Sequence, residues 1–248
     1  MKEFGLIGYP LSHSFSQEYF TKKFKSLGLN YQYKLFPIHS IDILSDILAN
    51  NPNLMGINVT IPHKQNVLKH LDLISEEVKK IGAANTLKKL PDGRWKGFNT
   101  DVIGFVKAVE KVTEKKAFER SILIGNGGAS KAVHYALTHH FNCQNIIVAC
   151  RNPIASHELF ISDLSEEMIA AADIIVQCTP VGMYPNVDNM LMIPYYAFHS
   201  QQIVMDLIYN PEQTHFVRYA TQRGCTIASG LDMLYAQANA SFEIWMQD

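Results

Sequence analysis

Eight polar side chains that sit where the strands of the first half end are of types that do chemistry: Ser14, Ser16, Asn58, Thr60, Lys64, Asn85, Asn99 and Asp101. Hydroxyls can grip a carboxylate, amides can hold ring hydroxyls, and a lysine near a carboxylate can move a proton. As a set they suit a polyhydroxylated acid. Singly, each has a structural reading as well. Ser14 or Ser16 would cap a helix, with Ser16 the expected N-cap, Asp101 would favour a helix N-terminus, and Lys64 would serve as a solvated side chain.

A second constellation begins at Gly125-Asn126-Gly127-Gly128-Ala129-Ser130, directly after the apolar run Ser121-Ile122-Leu123-Ile124. Glycines at such a place let the backbone approach a pyrophosphate, and the helix beyond supplies N–H donors and a favourable dipole. A tight strand-to-helix turn would use the same residues. The apolar strand before the loop and the amphipathic helix after it point to a dinucleotide. The third position of the usual fingerprint is Ser130, small enough for close helix packing. The next strand ends in Ala149-Cys150-Arg151-Asn152, where NAD sites usually place an acid for the ribose 2′-OH, and no carboxylate follows until Glu158. Arg151 would neutralise a 2′-phosphate, so this end favours NADP, although a strand-end arginine is also a common solvated residue.

Short β-rich runs and stretches of helical spacing alternate along the chain to position these groups. Phe4 to Gly8 reads as a strand, and a helix with Phe20, Phe24 and Leu27 on one face ends before Gly28. Tyr31, Tyr33 and Leu35 alternate as a strand, Ile41 to Leu48 reads as a helix, and Gly56 to Thr60 as a strand. Pro62 suits the first turn of a short helix through Leu68. Pro91-Asp92-Gly93 joins Thr86–Leu90 to Arg94–Phe98 as a hairpin. In the second half, Ile146 to Ala149, Ile174 to Val176 and Ile203 to Met205 are runs of the kind buried on both faces of a parallel sheet, and Thr226 to Ala228 reads as an edge. Strand, glycine turn, helix, strand is the opening of a doubly wound unit. A long helix closes the pattern from Leu231 to Met246.

The chain has 248 residues, 47% hydrophobic and 18% charged, with a net charge of −1. That balance excludes a disordered chain and argues against a basic grip on nucleic acid. No apolar run approaches the roughly 20 residues of a membrane span, and the start does not read as a signal peptide. Cys143, Cys150, Cys178 and Cys225 form no C-x-x-C pair, and His139-His140 offers no ligand geometry, so no metal site is expected. The expectation is a soluble cytoplasmic protein.

Taken together, the motifs resemble those of the shikimate dehydrogenase family over nearly the whole chain. The matching stretches are Gly8-Tyr9-Pro10 with Ser12-His13-Ser14, Asn58 to Lys64, Gly82 to Thr86, Asn99-Thr100-Asp101, Gly125 to Ser130, Thr179 to Met183, and Gly230 to Leu234 running on to Gln237. The resemblance implies an N-terminal open α/β substrate-binding domain, a Rossmann-type NADP-binding domain, and a C-terminal helix returning to the first. The boundaries expected are 1–101 with 230–248, and 102–229, with the active site in the cleft between them. It implies reversible, NADPH-dependent reduction of 3-dehydroshikimate to shikimate, a step toward chorismate and the aromatic amino acids. Lys64 would be the catalytic group and Asp101 its partner. Ser14 and Ser16 would bind the substrate carboxylate, while Thr60, Asn85, Asp101 and Gln237 would bind ring hydroxyls or line the pocket, with Tyr209 nearby. Gly125, Asn126, Gly127, Gly128, Ala129, Arg151, Thr179 and Gly230 would hold NADP.

Two departures stand out. Relatives often carry a second basic residue shortly after the strand-end arginine, where this chain has Asn152-Pro153-Ile154-Ala155, so phosphate neutralisation falls mostly on Arg151. The stretch from Arg151 to Asp173 is also short and the last helix ends soon after Trp245, implying a trimmed version of the fold. Two other readings remain: an NAD-using quinate/shikimate dehydrogenase, and a catalytically silent metabolite-binding protein of the same fold. The partners expected are small molecules, with neither nucleic acid nor membrane, in a monomer or a homodimer.

Overall fold

The computed structural model describes residues 1–11, 14–155 and 158–247. The chain divides into two compact units, Met1–Thr100 with Ala238–Asp248, and Asp101–Gln237.

The first unit contains β1 (Lys2–Gly8), α1 (Phe15–Ser26), β2 (Tyr31–Pro37), α2 (Leu44–Asn50), β3 (Leu54–Val59), β4 (Leu73–Ile74), α3 (Glu76–Ile81), β5 (Thr86–Lys89) and β6 (Trp95–Phe98). Its strands form one sheet in the order β2-β1-β3-β5-β6-β4. The β1–β2 and β1–β3 pairs are parallel, whereas β5 runs antiparallel to both β3 and β6. The β5–β6 hairpin turns at Pro91-Asp92-Gly93 as expected, with Gly93 at φ 88 and Asp92 accepting from the Arg94 N–H. Ser14, not Ser16, caps α1, its hydroxyl accepting from the Gln17 N–H, and Ser16 lies inside the first turn. The cap falls earlier because Phe15 already has helical backbone, leaving Ser14 as the last extended residue. Pro62 does not open a helix either. The chain turns at Ile61-Pro62 and a short 3₁₀ helix follows only at Asn66–His70.

In the second unit, α4 (Asp101–Glu110) leads to β7 (Arg120–Ile124), α5 (Gly128–His139), β8 (Asn145–Cys150), β9 (Glu158–Phe160), α6 (Glu166–Ala171), β10 (Ile174–Gln177), β11 (Ile203–Asp206), α7 (His215–Gln222), β12 (Thr226–Ala228) and α8 (Gly230–Met246). The sheet order is β12-β11-β10-β7-β8-β9, and every pair is parallel. Counted from β7, that is 3-2-1-4-5-6, the doubly wound dinucleotide-binding order, whose direction reverses between β7 and β10. Buried Ile122, Ile124, Ile175 and Val204 form its core, as their uninterrupted apolar runs require.

The C-terminal part of α8 completes the core of the first unit. Trp245 packs against Phe4 and Phe20, with ring centroids 4.8 and 5.1 Å apart, and donates its indole N–H to the Leu87 carbonyl at 2.9 Å. The indole occupies the space that a Cβ on Gly56 would need.

Candidate active site

In the first unit the backbone around Lys64 is pinned on both sides. The ring of buried His63 lies 2.8 Å from the Ile38 carbonyl, and the His63 N–H donates to Thr60 O. The Lys64 carbonyl accepts from the Ala84 N–H at 2.8 Å. Lys64 itself is half-buried. Thr60, beyond β3, donates its N–H to Ile7 O, and its methyl fills the space beside Gly8 that any Cβ there would claim. That close approach explains the glycine of the Gly8-Tyr9-Pro10 stretch.

Ser16 hydrogen-bonds the buried Tyr33 phenol, which donates to Asn58 Oδ1 at 2.8 Å. Asn58 in turn donates to Ser241 Oγ at 3.0 Å. Ser241 also meets Thr86 Oγ1 at 2.8 Å and Thr100 Oγ1 at 3.1 Å. Asn85 belongs to the same buried group. Its Oδ1 accepts from the Thr100 N–H at 2.7 Å, and its Nδ2 donates to Thr100 Oγ1 at 3.0 Å. Asn99 donates to Ala83 O. Asn85 therefore holds the residue that immediately precedes Asp101. Sequence reasoning missed Ser241 and Thr86. The available signal was a serine four residues after Gln237, one turn along the same helix.

In the second unit Asp101 is the first residue of α4, 4% exposed. A Cβ on Gly104, one turn along, would strike the Met233 carbonyl at 2.7 Å and Gln237 Cβ at 3.0 Å. The face of α4 that carries Asp101 thus packs on the part of α8 that carries Gln237. Gln237 donates to Leu234 O. The negative charge of Asp101 also reaches Cys178, whose thiol is driven far up, first by burial and then by Asp206, with Asp101 a smaller cause.

The glycine loop lies at the point where the sheet order reverses. Gly125 has φ 116, and a Cβ there would stand 3.1 Å from Thr179 Cγ2, so the loop after β7 and the segment after β10 come too close for a side chain at this position. Ser130 is buried, and its hydroxyl donates to the Gly125 carbonyl at 2.5 Å, tying the loop to the first turn of α5. Thr179 donates its hydroxyl to Gln177 Oε1 at 2.6 Å, and Gln177 spans the turn to Val181 O. Ser14, Ser75, Ser165 and Thr214 cap α1, α3, α6 and α7, but α5 starts on Gly127 with no side-chain cap, and nothing stands within 4 Å of a Cβ placed there. Its first N–H groups are therefore left for a ligand's oxygens. Open space, N–H donors and the dipole fit a pyrophosphate. Arg151 is exposed at the end of β8.

Asp206 ends β11, buried. It accepts from the Ile208 N–H at 3.0 Å and from the Thr214 hydroxyl at 2.6 Å, and burial pushes its carboxyl up to about 7. This clamp holds the segment leading to Tyr209, which is half-buried with its phenol also pushed up by burial. A Cβ on Gly230 would collide with the Asp206 carbonyl, so only glycine lets α8 begin there. No cluster of metal-ligating side chains occurs among the described residues, and no helix is long and apolar enough to cross a membrane.

A Rossmann-ordered sheet with an uncapped glycine turn at its reversal point, in a chain that also folds a separate α/β unit bearing a pinned lysine, has the architecture of a dinucleotide-binding enzyme. A family model described as the shikimate dehydrogenase substrate binding domain matches residues 6–87. The shikimate dehydrogenase (NADP(+)) of Methanococcus maripaludis strain C6 is 39% identical over 98% of this chain and 91% of its own. A crystal structure of a shikimate dehydrogenase in complex with NADP+ matches with a TM-score of 0.89 at 34% identity, covering 99% of this chain and 90% of that one. The Thermus thermophilus shikimate 5-dehydrogenase, solved with NADP(H) and shikimate, matches with a TM-score of 0.86 at 30% identity, over 99% of this chain and 94% of that one. The chain belongs to the shikimate dehydrogenase family.

Proposed function

We propose that this chain catalyses the reversible, NADPH-dependent reduction of 3-dehydroshikimate to shikimate, with Lys64 as proton donor and Asp101 as the group that orients it. The observation that carries the reading is the near-complete match to NADP-dependent shikimate dehydrogenases, and this chain has both a lysine at 64 and an aspartate at 101 to support those roles. NADPH, when bound, supplies the hydride. The ketone oxygen gains alkoxide character as the carbonyl is reduced, so it needs a proton donor within hydrogen-bond reach. A lysine whose backbone is fixed on both sides delivers that proton from a constant place, and its half-burial removes part of the competing water. Asp101 turns the ammonium and accepts from a ring hydroxyl.

Ser14 and Ser16 donate to the substrate carboxylate, and Thr60, Gln237 and Tyr209 meet the ring. Asn85 lines the same pocket and holds Thr100, and through it the start of α4. The α5 N-terminus with Gly125, Asn126, Gly127, Gly128 and Ala129 receives the pyrophosphate, Thr179 and Gly230 shape the space beside it, and Arg151 faces the 2′-phosphate. The enzyme works on small molecules in the cytoplasm.

The test is absorbance at the reduced-nicotinamide band, with shikimate or quinate and NADP or NAD. Reduction of NADP by shikimate with the highest kcat/KM of the four pairs is expected. A higher value for quinate with NAD would establish the quinate/shikimate enzyme instead, and no reduction in any pair would make the chain a binding protein.

A further inference from the structure

The chain passes from β8 to β9 through residues 151–157 alone, although parallel neighbours usually need a dozen or more residues of crossover. The link is too short to lay a crossover helix across the sheet. In its place the side chain of Glu158, the first residue of β9, turns toward the strand ends. One carboxylate oxygen accepts from the Ile154 N–H at 2.7 Å and the Ala155 N–H at 3.2 Å, and the other accepts from Asn126 Nδ2 at 3.3 Å. The Cys150 thiol lies 4.0 Å from the oxygen that Ile154 and Ala155 share. A negative charge therefore sits between the second residue of the glycine loop and the segment that follows the second strand of the sheet. In this fold the group at that strand end meets the ribose 2′ position, where a carboxylate suits a hydroxyl and opposes a phosphate. Arg151, on the same segment, acts in the opposite sense.

Resting on the cofactor reading above, we infer that Glu158 is a specificity-determining residue. Its carboxylate opposes the 2′-phosphate that Arg151 attracts, which narrows the discrimination between NADP and NAD. The sequence alone discounts Glu158, because it lies eight positions past the strand end in the chain. The pairing of β9 beside β8 brings it back to the loop.

The test is calorimetric titration of the protein without substrate by NADP+ and by NAD+, comparing wild type with Glu158→Gln, which keeps an acceptor oxygen for Ile154 and Ala155 but removes the charge. NADP+ should bind about fivefold more tightly to the variant at low ionic strength, NAD+ should change less than about twofold, and the difference should shrink at about 0.5 M salt. Equal changes for both cofactors, or a difference indifferent to salt, would overturn the inference and leave Glu158 a purely structural clamp. Should Glu158→Gln melt before it can be titrated, Glu158→Ser gives the same comparison. If wild type binds neither cofactor, the cofactor reading fails first, a result distinct from binding of both with no shift in their ratio.

Discussion

Lys64 and Asp206 are the two ionisable side chains from which the clearest consequences follow. Removing the amine leaves the carbonyl without its donor while the groups that hold the substrate carboxylate and ring remain, so binding and turnover should separate. Lys64→Ala should lower kcat by about 10²–10⁴-fold with KM changed by no more than a few fold, read from steady-state rates. Near wild-type turnover would take Lys64 out of the mechanism. Asp206 makes a prediction about stability. Its carboxyl is pushed up to about 7 by burial, above its ordinary value of 3.8. Between those values the folded protein keeps a proton that the unfolded chain releases, so this group's contribution is fully present below about pH 4 and is lost as pH rises through about 7. Asp206→Asn keeps a neutral partner for Thr214 and Ile208 and removes the titration. Denaturant midpoints at pH 5 and pH 8 should show wild type losing on the order of 3 kcal/mol relative to the variant. Parallel pH profiles for the two would show that the carboxyl is not buried as protonated acid.

At the level of elements, the contrast between α5 and its capped neighbours carries the most information. Gly127 has an extended φ of −75 and open space where a Cβ would stand, so Gly127→Ala meets no protein atom. Replacing glycine by alanine at an N-cap costs about 1 kcal/mol, yet the added methyl stands where a pyrophosphate must come close. A melting temperature within a few degrees of wild type, with NADP+ affinity down tenfold or more by calorimetry, is the expected result. Unchanged affinity would remove the loop from the cofactor site. This strand-loop-helix unit was legible in the sequence because a buried parallel strand and a glycine turn leave local, periodic marks. So were the hairpin at Pro91-Asp92-Gly93 and the long final helix. The cap of α1 was misplaced by two residues, since Ser14 and Ser16 are chemically equivalent candidates and only the backbone of Phe15 separates them. Ser241 and Glu158 were not legible as partners of the site, because the residues they meet, Asn58 and Asn126, lie far off in the chain. Gln177, by contrast, is held by its near neighbours Thr179 and Val181 and carries no motif that marks such a turn.

At the scale of the whole molecule, α8 is the element both units depend on. Its residues through Gln237 belong with the second unit and those from Ala238 with the first, where Trp245 fills the aromatic core around Phe4 and Phe20. Melting either unit would have to end the helix in mid-course, exposing Met233 on one side or Ala238 and Trp245 on the other, all buried in the native chain. A helix cut at its centre also leaves new carbonyl and N–H groups without partners. The two units should therefore unfold together. The chain has two tryptophans, Trp95 and Trp245, and both lie in the first unit, so their fluorescence follows that unit alone. The ligand expected at the glycine loop engages the second. If unfolding is one cooperative event, NADP+ at a hundred times its Kd should raise the unfolding free energy read from tryptophan by about 2.7 kcal/mol, and the fluorescence and far-ultraviolet dichroism transitions should coincide. A tryptophan transition that ignores NADP+ while the dichroism shifts would show the first unit melting on its own, with α8 breaking between Gln237 and Ala238.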